Sequence, residues 1–262
     1  MSTLIRDYER FAKEANEICK GRVYTDHLRR YAYGVDASCY SYLPKVVVKA
    51  EDEREVRRLI RLCQQCGTPF TFRAAGSSLS GQCSSEDVLI VCNDGFKKME
   101  VIDDGKALKC ECGVIGSDAN DLLKPYNRKI GPDPATLATA LVGGILNNNS
   151  SGMCCGTAQN SYKTIRSIRV VLLDGSILDT SDQKSIDQFL KEKPQMVEDI
   201  LQLRKDILAD EELTHLIHHK YKIKNTTGYG LNSLVDFEDI IDIINHLFIG
   251  SEAVSYTHLR AH

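Results

Sequence analysis

The sequence predicts an α+β fold. Three observations lead there. Residues 46–72 read as strand, helix, strand. Two Asp-Gly turns each join a pair of alternating segments, the pattern of a β-hairpin. Helical stretches fall irregularly between them, with no internal repeat and no strict strand–helix alternation, so a regular doubly wound sheet does not fit.

Taken in order, residues 1–43 read as a helical extension that becomes irregular. Its start, MSTLIRDYERFAKEANEICKG, is charged and amphipathic and lacks the continuous apolar core of a signal peptide. Pro44 opens a different regime. Val46-Val47-Val48 is a short β-branched strand. Asp52 caps a helix that carries Val56, Leu59, Ile60 and Cys63 on one face, and Gly67 ends it. Phe70-Thr71-Phe72 is the second strand, and such a β-α-β unit favours parallel pairing. Val88–Cys92 is another strand. Met99–Ile102 and Ala107–Cys112 flank Asp103-Asp104-Gly105 as a hairpin. Ile168–Leu172 and Ser176–Asp179 flank Asp174-Gly175 as a second. Short helices are expected near Ser117–Leu123, 195–209 and Ile240–Phe248.

The net charge is −3 with both signs interspersed, so no basic stripe argues for nucleic acid. No apolar run is long enough to span a bilayer. Ten cysteines without a signal peptide read as reduced thiols of a cytoplasmic protein. Cys63 and Cys66 form a C-x-x-C, but Cys63 continues an apolar helical series, so both read as small buried hydrophobes, as do Cys110 and Cys112. Cys154-Cys155 lies in a Gly-rich loop and reads as incidental. His215, His218 and His219 lack a third ligand or an H-E-x-x-H pattern and read as a surface cluster. Lys220, Lys222 and Lys224 read as a solvated strand or loop face rather than an anion-binding patch.

Two tracts carry chemistry. Arg73-Ala74-Ala75-Gly76-Ser77-Ser78-Leu79-Ser80-Gly81 follows a strand directly and is almost free of bulk. Its backbone can turn tightly enough for consecutive N–H groups to converge, a nest for an anion such as a pyrophosphate. It is neither G-x-x-x-x-G-K-[ST] nor G-x-G-x-x-G. The second tract holds Gly131-Pro132-Asp133-Pro134-Ala135-Thr136, then Val142-Gly143-Gly144 and Asn147-Asn148-Asn149-Ser150-Ser151-Gly152. The prolines fix the chain around Asp133. The glycines allow close approach to a planar ligand, and the Asn/Ser run supplies hydrogen-bonding partners.

These tracts, with IRSIRVVLLDGSIL, KNTTGYGLNSLVDF and IGSE, together resemble the PCMH-type (vanillyl-alcohol oxidase-type) FAD-binding domain, in the D-lactate dehydrogenase and glycolate oxidase branch. The resemblance spans residues 44–252. It implies two α+β subdomains with FAD between them. Ala74 through Gly81 would cradle the pyrophosphate, Pro132 and Asp133 would lie along the cofactor, Gly143 and Gly144 would approach the flavin with Asn149 and Gly152 nearby, and Ile168 would hold the adenine side through its backbone. No histidine falls in these loops, which implies non-covalent FAD.

The implied activity is that of an FAD-dependent oxidoreductase acting on CH–OH groups, in which a small 2-hydroxy acid loses its α-hydrogen as hydride to flavin N5. The electron acceptor is not specified. The implied location is cytoplasmic, with peripheral attachment to the inner membrane face left open. Residues 253–262, AVSYTHLRAH, depart from the family's continuation and read as a non-native tail on a chain cut before its substrate domain. The catalytic residues, and the iron–sulfur region of the nearest relatives, would lie beyond that point, so no catalytic base and no metal ligand is assigned. The stretch alone is expected to bind FAD and to turn over poorly. Rival readings are another oxidase of the same fold, a non-catalytic subunit of a flavoenzyme complex, or an unstable fragment that exposes apolar surface.

Overall fold

The computed structural model describes residues 6–225, 228–251 and the backbone of 255–260. Asp7 caps α1 (Tyr8–Ile18) by accepting from the Arg10 N–H, and Phe11 and Ala15 face inward. β1 (Val23–Tyr24) and α2 (His27–Ala32) follow. β2 (Val46–Lys49) is the expected β-branched strand. α3 (Glu53–Cys66) starts at the Asp52 cap and stops at Gly67, whose φ of 63° is the left-handed turn glycine makes without strain. Its Val56, Leu59, Ile60 and Cys63 are all buried, and Cys66 with them. β3 (Phe70–Arg73) and β4 (Val88–Val91) complete the first layer.

The sheet order is β1-β2-β4-β3. The two strands of the β-α-β unit run parallel, but they do not touch. β4 lies between them, parallel to both. All four of its residues, Val88-Leu89-Ile90-Val91, are buried, as befits a central parallel strand covered on both faces. Residues 8–24, read from sequence as an extension, are built into this layer. β1 pairs antiparallel with β2, and Phe11, Ala15 and Cys19 share one core with Val46, Leu59 and Ile90.

The second layer begins with the hairpin β5 (Met99–Ile102) and β6 (Ala107–Cys110). Its turn needs three left-handed residues, and Asp103, Asp104 and Gly105 supply them at φ 53°, 52° and 85°. α4 (Gly116–Leu123), α5 (Val142–Asn147) and α6 (Ser161–Thr164) lead to the hairpin of β7 (Ile165–Val171) and β8 (Ile177–Asp179). Then come α7 (Gln183–Glu192), α8 (Pro194–Ala209), α9 (Glu211–Lys220), α10 (Ser233–Asp236) and α11 (Ile240–Leu247). β9 (Ser255–Arg260) lies antiparallel between β6 and β7, giving the order β5-β6-β9-β7-β8. These residues fall within 253–262, the stretch expected from sequence to be a tail. The expected domain end at Glu252 lies outside the described residues. Leu108, Leu123, Ile130, Leu146, Ile168 and Leu178 form the centre of the second core.

The two layers dock through α3. Arg169 on β7 reaches Glu53 at 2.7 and 3.1 Å and Asp179 at 3.1 Å. Arg57 Nε donates to the Gly175 carbonyl at 2.7 Å, and Gln64 to that of Leu173 at 2.8 Å. No described helix is long and apolar enough to cross a membrane. His215, His218 and His219 are exposed on α9, and among the described residues no three His, Cys, Asp or Glu are grouped as metal ligands.

Candidate functional site

The loop after β3 and the loops around α5 face each other across one cavity of about 1010 Å³ between the layers. That volume is at the upper end of small-molecule pockets and suits an extended guest. Phe72, Cys92, Cys112, Leu141 and Ile145 give it apolar walls. Burial pushes the Cys112 thiol up to about 12 and raises that of Cys92 as well, so these walls stay uncharged.

Ala74 to Ser80 line one side. Gly76 turns with φ 77°. Among the described residues, the backbone N–H groups of Ala74 through Ser77 and of Leu79 donate to no protein acceptor, while that of Ser78 points to the Cys83 sulfur. Backbone donors near a protein interior are seldom left so. Four in succession beside a cavity, with a fifth at Leu79, form the nest that an anionic group fills.

Gly143 and Gly144 line the opposite side and have different duties. The Gly143 N–H donates to the Cys112 carbonyl at 2.9 Å, and a Cβ on Gly143 would lie 2.7 Å from Cys112 Cβ. Gly143 therefore serves the close packing of α5. A Cβ on Gly144 would meet only Ala74 Cβ, at 3.6 Å. Gly144 thus faces the first loop across the cavity.

Asp133 and Gly152 line it too. Asp133 Oδ1 accepts from the N–H of Gly152 at 2.9 Å and of Cys155 at 3.2 Å. Burial pushes this carboxyl up, but the hydrogen bonds from Cys155 and Gly152 outweigh it, and the net shift is below the usual aspartate value. Asp133 therefore shapes the loop as a charged acceptor.

Four expected residues are not brought to the lining. Gly81 faces the Tyr40 ring, and its carbonyl accepts from the Ser84 N–H at 3.1 Å. Pro132 is buried one step behind Asp133. Asn149, at φ 47°, accepts from the Tyr162 N–H at 3.2 Å and donates to the Asn225 carbonyl, so it ties loops together behind the wall. Ile168 is 1% exposed in the second core, and Thr180 takes both its N–H and its carbonyl. A strand residue so engaged has no backbone group to offer a ligand.

Sequence reasoning missed two cations. Lys224, read as part of a solvated face, lines the cavity, and its Nζ donates to the Ser151 carbonyl at 3.0 Å. Arg73, quoted only as the start of the loop, lines it as well. Cys154, read as incidental, is exposed on the lining, whereas Cys155 is buried. An alternating basic run, Lys220, Lys222 and Lys224, gave no hint of a target 73 residues away.

Comparison with known proteins agrees with this geometry. The FAD binding domain family matches residues 44–181, just over half of the chain. A D-2-hydroxyglutarate dehydrogenase of Escherichia coli is 28% identical over 164 residues, 61% of this chain and 16% of its own length. The glycolate oxidase subunit GlcD of Bacillus subtilis is 26% identical over 60% of this chain and 34% of its own length. The chain thus spans between a sixth and about a third of the curated relatives it matches. Among solved structures, an alkyldihydroxyacetonephosphate synthase superposes with a TM-score of 0.57 at 19% identity, over 68% of this chain and 37% of that one.

The residues present fit FAD. The open backbone donors at 74–77 and 79 suit its pyrophosphate, Gly144 leaves room for a flat ring, and one cavity is lined by both. The match and the cavity together place this chain in the FAD binding domain family, in its PCMH-type, or vanillyl-alcohol oxidase-type, fold.

Proposed function

We propose that this chain is the FAD-holding part of a dehydrogenase that oxidises a small 2-hydroxy acid of the D-lactate, glycolate or D-2-hydroxyglutarate kind. One observation carries the FAD part: two small-residue loops from separate layers, one with five unengaged N–H groups, line a single cavity. The named relatives support the substrate class.

In this reading Ala74 to Ser80 bind the phosphates through backbone donors, which requires no added charge and survives changes of side chain. Arg73 and Lys224 give the cavity two cations against the one carboxylate of Asp133, a balance that favours an anionic guest. Gly144 admits the ring system, and the walls of Phe72, Leu141 and Ile145 exclude water from one of its faces. Bound FAD supplies an acceptor for two electrons. FAD is held without a covalent link, the electron acceptor belongs to the whole protein, and the location is cytoplasmic. Residues 44–252 form the FAD domain, and residues 1–43 precede it.

The test is direct. The purified chain is examined for flavin absorbance and for release of FAD on denaturation, then assayed with D-lactate, glycolate and D-2-hydroxyglutarate and a dye acceptor. Bound flavin with little or no turnover is expected. A colourless chain that FAD cannot reconstitute contradicts the binding reading, and brisk turnover contradicts the view that catalysis needs more of the protein.

A further inference from the structure

Residues 33–40 precede the stretch that matches the FAD binding domain family, yet four hydrogen bonds and one ring contact join them to residues 73–83. Arg73, the last residue of β3, donates from Nη1 to the Tyr33 carbonyl at 3.2 Å and from Nη2 to that of Val35 at 2.8 Å. The Ala37 N–H donates to the Gly76 carbonyl at 3.1 Å. The Cys83 thiol donates to Asp36 Oδ2 at 3.3 Å. The Tyr40 ring covers Gly81, where a Cβ would come within 2.9 Å of it.

Gly76 makes the fit closer still. A Cβ there would lie 2.3 Å from Arg73 Nη2, so the guanidinium occupies the space a side chain would need. Arg73 and Ala37 also line the cavity. A nest binds an anion only while its N–H groups converge, and a run of Gly, Ala and Ser has little stiffness of its own. Something must hold it in shape, because disorder in a binding loop is lost on binding and weakens affinity.

We propose that residues 33–40 are the rear wall of the phosphate cradle and that Arg73 is the positioning residue that joins the wall to the loop. Arg73 acts through the loop, by orienting the donors of Ala74 to Leu79. Its planar fork reaches two carbonyls at once, which a lysine ammonium does not reproduce. The inference rests on the FAD reading.

The experiment uses the full chain and measures affinity for ADP and FAD by titration calorimetry well below the melting temperature. If the unaltered chain binds neither, the FAD reading itself fails. Given binding, Arg73→Met is expected to lose roughly tenfold or more in affinity for both, the loss typical of hydrogen bonds to a charged group, with Arg73→Lys between the two. Tyr40→Ala, at a half-exposed ring, is expected to lose less in the same direction and decides the matter if Arg73→Met does not fold. The distinguishing readout is coupling. Gly76→Ala collides with the guanidinium, so its cost should be smaller in the Arg73→Met background than alone. Undiminished ADP affinity in both Arg73→Lys and Tyr40→Ala, or strictly multiplicative losses for Arg73→Met and Gly76→Ala, overturns the proposal.

Discussion

Gly152 and Asp133 touch so closely that no other residue fits at 152: a Cβ there would lie 1.9 Å from the Asp133 carbonyl oxygen, while the Gly152 N–H donates to Asp133 Oδ1 at 2.9 Å. One carboxylate thereby sets the course of a loop 19 residues away. Gly152→Ala must displace backbone, and this wall of the cavity with it. FAD affinity should fall by about tenfold or more, the effect of losing the acceptor geometry of two N–H groups. Fluorescence titration of FAD measures it, and wild-type affinity in the variant would refute the assignment.

The same carboxylate makes an acid-dependent contribution. Its folded value lies below the unfolded one, near 3.9 for aspartate. A group shifted down contributes stability that is present above the unfolded value and lost as pH falls through the folded one. Asp133→Asn abolishes that titration. Other carboxylates shift the same way, Asp36, Asp52 and Asp179 among them, so the quantity to follow is the difference between the two proteins. Chemical denaturation at several pH values should show the difference constant above about pH 5 and shrinking below about pH 4. A constant gap throughout would remove Asp133 as the cause.

Thiol labelling separates cavity from core. Cys39 and Cys154 are exposed, whereas burial pushes Cys19, Cys63, Cys110 and Cys112 up to about 12 and Cys83 up to about 11. Thiolate is the reactive form, so the buried thiols are slow. Ellman's reagent should therefore modify Cys39 and Cys154 fast. Saturating FAD should protect Cys154, which lines the cavity, and leave Cys39 unchanged. Equal rates at Cys154 with and without FAD would mean that the guest lies elsewhere.

Arg169 joins the layers through Glu53 and is braced by Asp179 on the neighbouring strand β8. Its side chain is 38% exposed, so solvent screens the pairs. Arg169→Met should cost roughly 1 kcal/mol, and the deficit should narrow at high salt. Urea unfolding at two salt concentrations reads both numbers.

Leu59 on α3 is fully buried in the first core and does not line the cavity. Leu59→Ala should destabilise by about 2–5 kcal/mol. Below its melting temperature the variant should still bind FAD, because the cradle is unaltered. A stable variant that has lost FAD would show that α3 governs the site directly.

Local rules made much of this legible in the sequence. Asp52 and Gly67 bracket α3 because capping and left-handed turns are decided within a few residues. The Asp-Gly hairpins follow for the same reason. What the sequence hid is non-local. Nothing in Phe70-Thr71-Phe72 announces that β4 will take the place beside β2. The short β1 has two residues, too few for any periodicity. The cradle was readable as a loop short of bulky side chains, and Gly144 as a point of close approach. Asn149 and Ile168 were drawn into the site by motif position, whereas their polar groups are taken by Tyr162 and Thr180. Lys224 and Arg73 were underrated because a cation's partner is visible only once the chain is folded.

The cavity's two walls belong to two cores, one built on α3 and β4, the other on β6, β7 and α5. A guest that spans them acts as a splint, since only the docked arrangement offers both surfaces. Each half then inherits part of the other's resistance to heat. At a hundredfold excess over its dissociation constant, such a guest adds about 2.7 kcal/mol against separation. Calorimetry should record two overlapping endotherms without FAD and one sharper peak with it.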